Sequence, residues 1–315
     1  MTNKNYAVIG DVLCDLSEDL RKRFGVDGYL KGHMTVPAGK EERELPTTLD
    51  WSYMPQTEFY AHLKANKKVY KTAPASAEET VEYLEPFLAA GRDVLILSIS
   101  SKLSVSYNLM LNAKKTLEAK YPNRKVIVVD SLKYSSGLGL LVIKACELRD
   151  KGLTIEENAA ELDRVKSTVH QMGAMDDLFF VASKGRITHA KAFMGTLVGV
   201  KPMGDFNADG MVTVLAKVKG YDKAYKAIVE YIKRTIVEPE NQIIIVAQTV
   251  REKHQAILAK MIEEQIKPKE IILSDIYPAD GINVGPGLLA AYYYGTPITD
   301  LARETEVIKQ VIEGI

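Results

Sequence analysis

The chain has 315 residues, enough for two domains of ordinary size, and its 46% apolar and 26% charged residues are typical of a globular protein. Its 41 basic residues balance its 41 acidic residues, so no overall positive field favours nucleic acid. The two cysteines, Cys14 and Cys146, form no CxxC pair, which argues against a zinc site or a redox dithiol. No apolar run suits a signal peptide or a membrane span, and we expect a cytoplasmic protein.

The first half of the chain predicts an open α/β layer. Its strands are short apolar runs without alternation, which is typical of strands buried on both faces, and helical stretches separate them. Ser17 is a candidate N-cap and Gly25 a candidate stop for the first helix. The segment 28–55 is less regular, and we expect a loop or hairpin excursion there. Predicted strands cover 6–10, 93–99 and 125–129, and predicted helices follow them at 17–25, 106–120 and 136–151.

The second half predicts a different, α+β arrangement. Thr154 and Glu157 match a capping box that begins a new helix. We place the domain boundary just before it, near Gly152, which gives an N-terminal domain over 1–152 and a C-terminal domain over 153–315. The sequence Asn-Ala-Asp-Gly at 207–210 predicts a hairpin turn. Predicted strands cover 178–182, 211–218, 242–247 and 270–276, and helices are predicted to begin near Tyr221 and Arg251.

Two loops of the first half carry hydroxyl groups at positions where a ligand could bind. The serine-rich loop Ser98–Ser106 lies between a predicted strand and a helix, where backbone N–H groups and hydroxyls form a neutral cradle for a carboxylate or a phosphate. The alternative is that these serines only cap the helix. In the loop 71–76, Ser76 and Glu79 match a capping box, which explains Ser76 but does not explain Thr72.

Two loops of the second half are further candidates. The segment Gly281–Gly287 contains glycines that permit positive φ and a close backbone approach, although a tight strand-to-helix turn explains them equally well. In the segment Ser183–Thr188, Arg186 could hold an anion with its planar guanidinium group. A lone arginine is more often a solvated surface residue.

Several enzyme signatures are absent from the sequence. There is no G-x-S-x-G elbow and no phosphate-binding G-x-x-x-x-G-K-[ST] loop, and the dinucleotide fingerprint at 137–142 lacks its last glycine. The five histidines show no metal-ligand spacing, so we expect neither a metal nor a cofactor. Asp11 and Asp130 both follow strands and could form a carboxylate pair, but N-caps and loop anchors are their commoner roles.

These loops, taken in order, resemble the DegV family along nearly the whole chain. The segment 8–16 is similar to the family's opening strand and Asp-Ser turn, and 72–76 occupies the place of its Thr-Ser-Gln-Pro-Ser loop. The run 100–108 is similar to its Ser-Ser-x-Leu-Ser-Gly-Thr-Tyr-Gln element. Three shorter elements also match: Gly-Arg-Ile at 185–187, Lys-Pro at 201–202 and Gly-Pro-Gly at 285–287.

The resemblance implies a fold with a ligand cleft between the two domains, and a non-catalytic protein that carries one long-chain fatty acid. The carboxylate would bind hydroxyls of the N-terminal domain, and the tail would lie in a tunnel of the C-terminal domain. It also implies a possible partner, a separate fatty acid kinase. A tail of about fifteen methylenes offers roughly 12 kcal/mol of hydrophobic free energy as an upper limit, so neutral donors suffice to orient the head group.

The same resemblance assigns the candidate ligand-binding residues. Thr72 and Ser101 would donate hydrogen bonds to the head group, with Ser100 beside them and Ser104 in the same run. Arg186 would lie nearer the domain interface or the partner surface. The chain departs from the family pattern at several positions, among them Asn283, which replaces a histidine two residues before Gly-Pro-Gly.

Two other functions remain open from the sequence. A serine-dependent acyl enzyme would use Ser101 or Ser104 as nucleophile and would need a histidine base, which none of the hydroxyl loops supplies. A binding protein for phosphate or a phospho-ligand would use the serine loop together with the glycine turn.

Overall fold

The computed structural model describes residues 6–189 and 199–315. The strands are β1 Tyr6–Asp11, β2 Gly28–Leu30, β3 His33–Ala38, β4 Glu41–Pro46, β5 Lys71–Ala73, β6 Asp93–Ser98, β7 Val126–Asp130, β8 Val169–Ala174, β9 Ile187–Thr188, β10 Val200–Phe206, β11 Val212–Lys219, β12 Ile243–Gln248, β13 Glu270–Asp275 and β14 Leu289–Tyr294. The described helices are α1 Glu18–Phe24, α2 Gln56–Ala65, α3 Ala77–Ala89, α4 Ser106–Lys120, α5 Ser135–Asp150, α6 Ile155–Val165, α7 Leu178–Ser183, α8 Tyr221–Thr235, α9 Glu252–Gln265, α10 Pro278–Val284 and α11 Ala302–Glu313.

The chain forms two compact units, each built from discontinuous segments. Unit 1 comprises Met1–Tyr53, Asn66–Lys166 and Tyr277–Ala279. Unit 2 comprises Met54–Ala65, Ser167–Ile276 and Asp280–Ile315.

Unit 1 contains the predicted parallel sheet. Its four strands are ordered β2-β1-β6-β7, and every neighbouring pair is parallel. All six residues of β1 are buried, as expected for a central strand covered on both faces. The first helix begins and ends where the sequence predicts: Ser17 Oγ accepts a hydrogen bond from Leu20 N at 3.3 Å, and Gly25 ends α1 with φ 67°. The predicted open α/β layer is confirmed.

The irregular segment after α1 contains a second, small sheet. Strands β3 and β4 form an antiparallel hairpin, and β5 pairs antiparallel with the other edge of β3. This sheet agrees with the hairpin excursion expected over 28–55. It also places Thr72, on β5, opposite Met34 of β3.

Unit 2 is built on a mixed seven-stranded sheet with the order β13-β12-β14-β8-β10-β11-β9. Within the described part of this sheet, only the β12–β13 and β9–β11 pairs are parallel. Strands β10 and β11 form the hairpin that the Asn-Ala-Asp-Gly turn predicts. One face of the sheet packs against α8, α9 and α11 in a buried core that includes Met172, Ile228, Leu258 and Ile308. The predicted α+β architecture of the second half is confirmed.

The division into units differs from the predicted boundary near Gly152. Helix α6 begins at the predicted capping box, with Glu157 N donating to Thr154 Oγ1 at 3.2 Å, but it belongs to unit 1. Asn158 ties it to that unit, because its Nδ2 donates to Tyr6 Oη and to Ala145 O, both at 2.8 Å. A capping box shows where a helix begins, not which sheet it packs against.

Two local predictions are wrong. The segment predicted as a strand over 178–182 is the helix α7, whose N-cap Asp177 accepts a hydrogen bond from Phe180 N at 2.9 Å. A five-residue apolar run carries too little periodicity to separate the two structures. The glycine segment 281–287 is not a strand-to-helix turn, because α10 precedes Gly285 and the strand β14 follows Gly287. Among the described residues, no helix is long and apolar enough to cross a membrane.

Candidate functional site

The serine-rich loop follows β6 at the carboxyl edge of the parallel sheet, where ligands of open α/β sheets usually bind. Ser100 is buried, its N–H donates to Lys133 O at 2.9 Å, and its Oγ accepts from Lys102 N at 3.3 Å. Ser104 Oγ lies 2.8 Å from Ser106 Oγ. The loop therefore brings Ser100, Ser101 and Ser104 together on one rigid turn.

Two carboxylates hold this loop in place. Asp130, at the end of β7, accepts from Ser101 N and Leu132 N, each at 3.1 Å. Asp11, at the end of β1, accepts from Ile99 N at 3.3 Å and Leu13 N at 3.2 Å. Both therefore act as the loop anchors that the sequence suggested. Burial raises the pKa of Asp11 to about 6, although these N–H groups lower it in part.

Thr72 lies in the same unit but on the small sheet, where it is half-buried on β5. The neighbouring helix α3 is fixed by the predicted capping box, since Ser76 Oγ accepts from Glu79 N at 3.1 Å and Glu79 Oε2 accepts from Ser76 N at 2.8 Å. Ser76 is thus occupied with helix capping. Thr72 and the serine loop belong to different sheets of unit 1.

The Gly-Pro-Gly turn of unit 2 is clamped to its surroundings. Gly287 has φ 94°, its N–H donates to Thr249 O at 2.9 Å, and its carbonyl accepts from Asp176 N at 3.1 Å. A Cβ atom on Gly287 would lie 2.7 Å from Asp176 Cβ, so only glycine fits. Asn283 precedes this turn on α10 and is half-buried.

Asp176 is the centre of a charged cluster that the sequence analysis missed. Its carboxylate accepts hydrogen bonds from Lys201, Arg251 and Tyr221, the last at 2.9 Å. Burial would raise the pKa of Asp176, but these hydrogen bonds outweigh it and lower the pKa. Burial and the Asp176 charge raise the pKa of Tyr221. The Lys-Pro element at 201–202 pointed to Lys201, but no spacing rule links it to Asp176.

Arg186 lies in unit 2 on the segment that leads into β9, and its side chain is exposed. Its guanidinium group donates to the carbonyl of Lys184, a local contact on the same turn. The six candidate residues therefore divide between the two units. Thr72, Ser100, Ser101 and Ser104 belong to unit 1, and Asn283 and Arg186 belong to unit 2.

A row of small residues crosses the seven-stranded sheet, and no sequence pattern revealed it. Ala247 of β12 pairs with Ala290 of β14, Ala290 pairs with Gly173 of β8, and Gly173 pairs with Gly204 of β10. Side chains alternate along strands, so this row faces away from the helical core that contains the adjacent residues 172, 246 and 291. Four strands at about 4.8 Å spacing give the row a length of roughly 14 Å.

The serine loop offers hydrogen bonds from hydroxyl and backbone N–H groups, and the carboxyl groups of Asp11 and Asp130 hold it in place. Of the five histidines, unit 1 holds His33, whose ring contacts Glu44 at 3.4 Å and Glu79 at 2.9 Å. The described residues contain no group of three or more His, Cys, Asp or Glu side chains suited to a metal. Fold and site together define a two-unit α/β protein whose candidate site presents uncharged donors.

Comparison with known proteins identifies the family. The family described as "Uncharacterised protein, DegV family" matches residues 5–296. A DegV domain-containing protein of Clostridium perfringens is 28% identical over 292 residues, which cover 93% of this chain and 98% of that protein. The chain belongs to the DegV family.

Solved structures share the fold. A DegV family protein from Thermus thermophilus, described for its fatty acid binding, is 25% identical with a TM-score of 0.80, covering 92% of this chain and 99% of that one. The Fatty Acid Kinase (Fak) B3 protein of Streptococcus pneumoniae, loaded with linoleic acid, is 19% identical with a TM-score of 0.77 over 92% and 99% of the two chains. At that identity the second similarity is one of fold.

Proposed function

We propose that this chain is a non-catalytic carrier of one long-chain fatty acid. The observation that carries the proposal is the hydroxyl loop at the carboxyl edge of the parallel sheet, in a chain that belongs to the DegV family. The fatty acid binding described for the Thermus thermophilus relative supports the same ligand class.

Unit 1 supplies the donors for the carboxylate. The hydroxyls of Thr72 and Ser101 bind the head group, and Ser100 and Ser104 support it from the same loop. Ser104 also caps the first turn of α4, because its Oγ accepts from Ser106 N at 3.2 Å. Asn283 adds a neutral amide donor, and Arg186 serves a more peripheral role at a partner surface.

Unit 2 supplies the seat for the tail. The row Ala247–Ala290–Gly173–Gly204 leaves a strip of the sheet where no side chain larger than a methyl group rises. Its length of roughly 14 Å is close to the thickness of one leaflet of a bilayer's hydrocarbon core, about 15 Å. Burial of the tail against this strip supplies most of the affinity.

A serine hydrolase is the weaker interpretation of the same loop. Ser104 is paired with Ser106, and the carboxylates nearest the loop, Asp11 and Asp130, already accept backbone hydrogen bonds. The histidine of unit 1 is held between two glutamates. A nucleophilic serine needs a base in hydrogen-bond contact. The described side-chain partner of Ser104 is the Ser106 hydroxyl, and Ser106 bonds in turn to Asp11, a carboxyl group that already holds the loop backbone.

The carrier presents its fatty acid to a separate kinase in the cytoplasm. The fold shared with the pneumococcal Fatty Acid Kinase B3 protein supports this partner. The carrier itself needs neither a metal nor a cofactor for this role.

Two measurements test the proposal. Mass spectrometry of gently denatured recombinant protein should release a 14-to-18-carbon acid. The double variant T72A/S101A should bind that acid at least about tenfold more weakly, because each lost hydrogen bond to a charged group is worth about 1.5–3 kcal/mol. Its free energy of unfolding should change by less than about 1 kcal/mol, as is usual for substitutions at partly exposed positions.

The matched control is T48A/S52A, which removes a threonine and a serine hydroxyl that both bond to Asp50 outside the loop. This control should bind the acid as the wild type does. Protein that releases no acid and binds no added fatty acid would contradict the carrier assignment. Unchanged affinity in T72A/S101A would instead show that other residues hold the head group, and a thermal shift with sugar phosphates alone would favour a phospho-ligand.

A further inference from the structure

Gln171 is a buried polar residue whose side chain is incompletely satisfied. It lies on β8 and is 1% exposed. Its backbone N–H donates to Asp205 Oδ1 at 2.7 Å, but its side-chain oxygen has no hydrogen-bond partner in the described chain. Buried polar atoms are nearly always paired, so this amide oxygen calls for a hydrogen-bond donor.

The position of Gln171 on the sheet places its amide beside the row of small residues that we propose binds the tail. Residues alternate between the two faces of a strand, so Gln171 shares its face with Gly173 and not with Met172, which belongs to the helical core. Gln171 pairs with Tyr292 of β14, and Gly173 pairs with Ala290, two residues earlier on that strand. The amide therefore borders the row of small residues directly.

The neighbours of the amide on this face are aromatic and aliphatic side chains, and they include the buried hydroxyl group of Tyr292. Tyr292 pairs in turn with Ile245 of β12, and the Tyr292 ring lies 6.5 Å from that of Phe206. These large side chains lie beside the small row, and the Gln171 amide and the Tyr292 hydroxyl are polar groups among them. An unsubstituted acyl tail would leave the amide oxygen unpaired, whereas a hydroxyl group on the tail would satisfy it.

We propose that Gln171 is a specificity-determining residue that selects acyl chains carrying a hydroxyl group on the tail. This inference rests on the proposed carrier function and narrows its substrate class. A hydroxyl both donates and accepts, so it pairs with the amide of Gln171 whichever way that amide is turned. A site built to bond a hydroxyl discriminates against the analogue that lacks it, because a buried group is then left unpaired.

The test measures dissociation constants for octadecanoic acid and for a series of hydroxyoctadecanoic acids with the hydroxyl moved along the chain. Wild-type protein should bind one positional isomer at least about tenfold more tightly than the others, the factor supplied by one ordinary hydrogen bond. The variant Q171L should lose this preference and should bind octadecanoic acid at least as tightly as the wild type.

The control is Q255L, at a second buried glutamine whose Nε2 donates to Val246 O at 2.7 Å and Ser274 O at 2.9 Å. Because this amide is already paired, Q255L should lower stability and leave the isomer preference unchanged. Wild-type protein that binds all isomers equally, or binds octadecanoic acid more tightly than each of them, overturns the inference, as does a preference that survives in Q171L. If Q171L does not fold, the wild-type series alone decides. Protein that binds none of these acids refutes the carrier function instead.

Discussion

Asp11 couples its protonation to the stability of the fold. Its carboxyl group is buried at the end of β1, where it bonds to Leu13 N and Ile99 N. Burial raises its pKa to about 6, above the value of about 3.9 expected in the unfolded chain. The group therefore contributes stability that is fully present below about pH 4 and is lost as the pH rises through about 6.

The first prediction concerns this pH dependence. In the wild type, Asp11 should lower the free energy of unfolding by about 2 kcal/mol between pH 4 and pH 7, and D11N should remove that slope. Urea unfolding at pH 4, 5, 6 and 7 measures it. D50N is the contrasting control: burial raises the pKa of Asp50, but hydrogen bonds from Ser52 and Thr48 outweigh it and lower the pKa. The loss of stability that D50N causes should be largest at neutral pH. Equal slopes in D11N and the wild type would contradict the prediction.

The Gly-Pro-Gly turn is the element that joins α10 to β14, and its glycine at 287 meets two demands at once. The residue has a positive φ of 94°, and a Cβ would overlap the side chain of Asp176. Gly152 has nearly the same φ, 92°, but a Cβ there would meet nothing within 4 Å. Alanine at position 152 therefore measures only the backbone cost of a positive φ. Alanine at position 287 adds the cost of the steric overlap with Asp176.

The second prediction follows from this pair. G152A should cost about 1–2 kcal/mol of unfolding free energy, the penalty of a left-handed backbone for a residue with a Cβ. G287A should cost more, by about 1–3 kcal/mol, because Asp176 must move and its bonds to Lys201 and Arg251 must adjust. Urea unfolding of both variants compares them. Equal losses would show that the Asp176 cluster does not confine the turn.

Elements with their own local signals were predictable from the sequence. The caps at Ser17 and Gly25, the capping boxes at Ser76 and Thr154, and the apolar run of β1 define their own boundaries. The helix α7 was mistaken for a strand because five apolar residues fit both periods, although Asp177 gave a capping signal.

The candidate site was predictable to the extent that it is local. The serine loop was found because its residues are consecutive and lie between a strand and a helix. The row containing Gly173 and Ala290 was not found, because it exists only through the pairing register of four strands far apart in the sequence. Gln171 was not predicted for the same reason, because its role depends on which residues share its face of the sheet.

At the scale of the whole molecule, each unit takes a segment from the other half of the sequence. Unit 2 includes Met54–Ala65, where Phe59 and Leu63 are fully buried and Tyr60 Oη donates to Ile276 O at 2.7 Å. Unit 1 includes Tyr277, whose N–H donates to Asp15 Oδ1 at 2.9 Å. A single cut of the chain cannot separate two complete units.

The last prediction tests this interleaving. A fragment over 167–315 lacks α2 and should be less stable than the same fragment preceded by 54–65 through a flexible Gly/Ser linker. The difference should reach several kcal/mol, because burying each large side chain of α2 contributes about 1.5–3 kcal/mol. Circular dichroism and urea unfolding measure both proteins. A third protein, with Phe59→Ser and Leu63→Ser in the fused helix, should behave like the bare fragment, since it keeps the chain length and loses the buried surface. If the bare fragment is as stable as the fusion, α2 is only peripheral to unit 2, and the boundary of that unit lies within a continuous stretch of sequence.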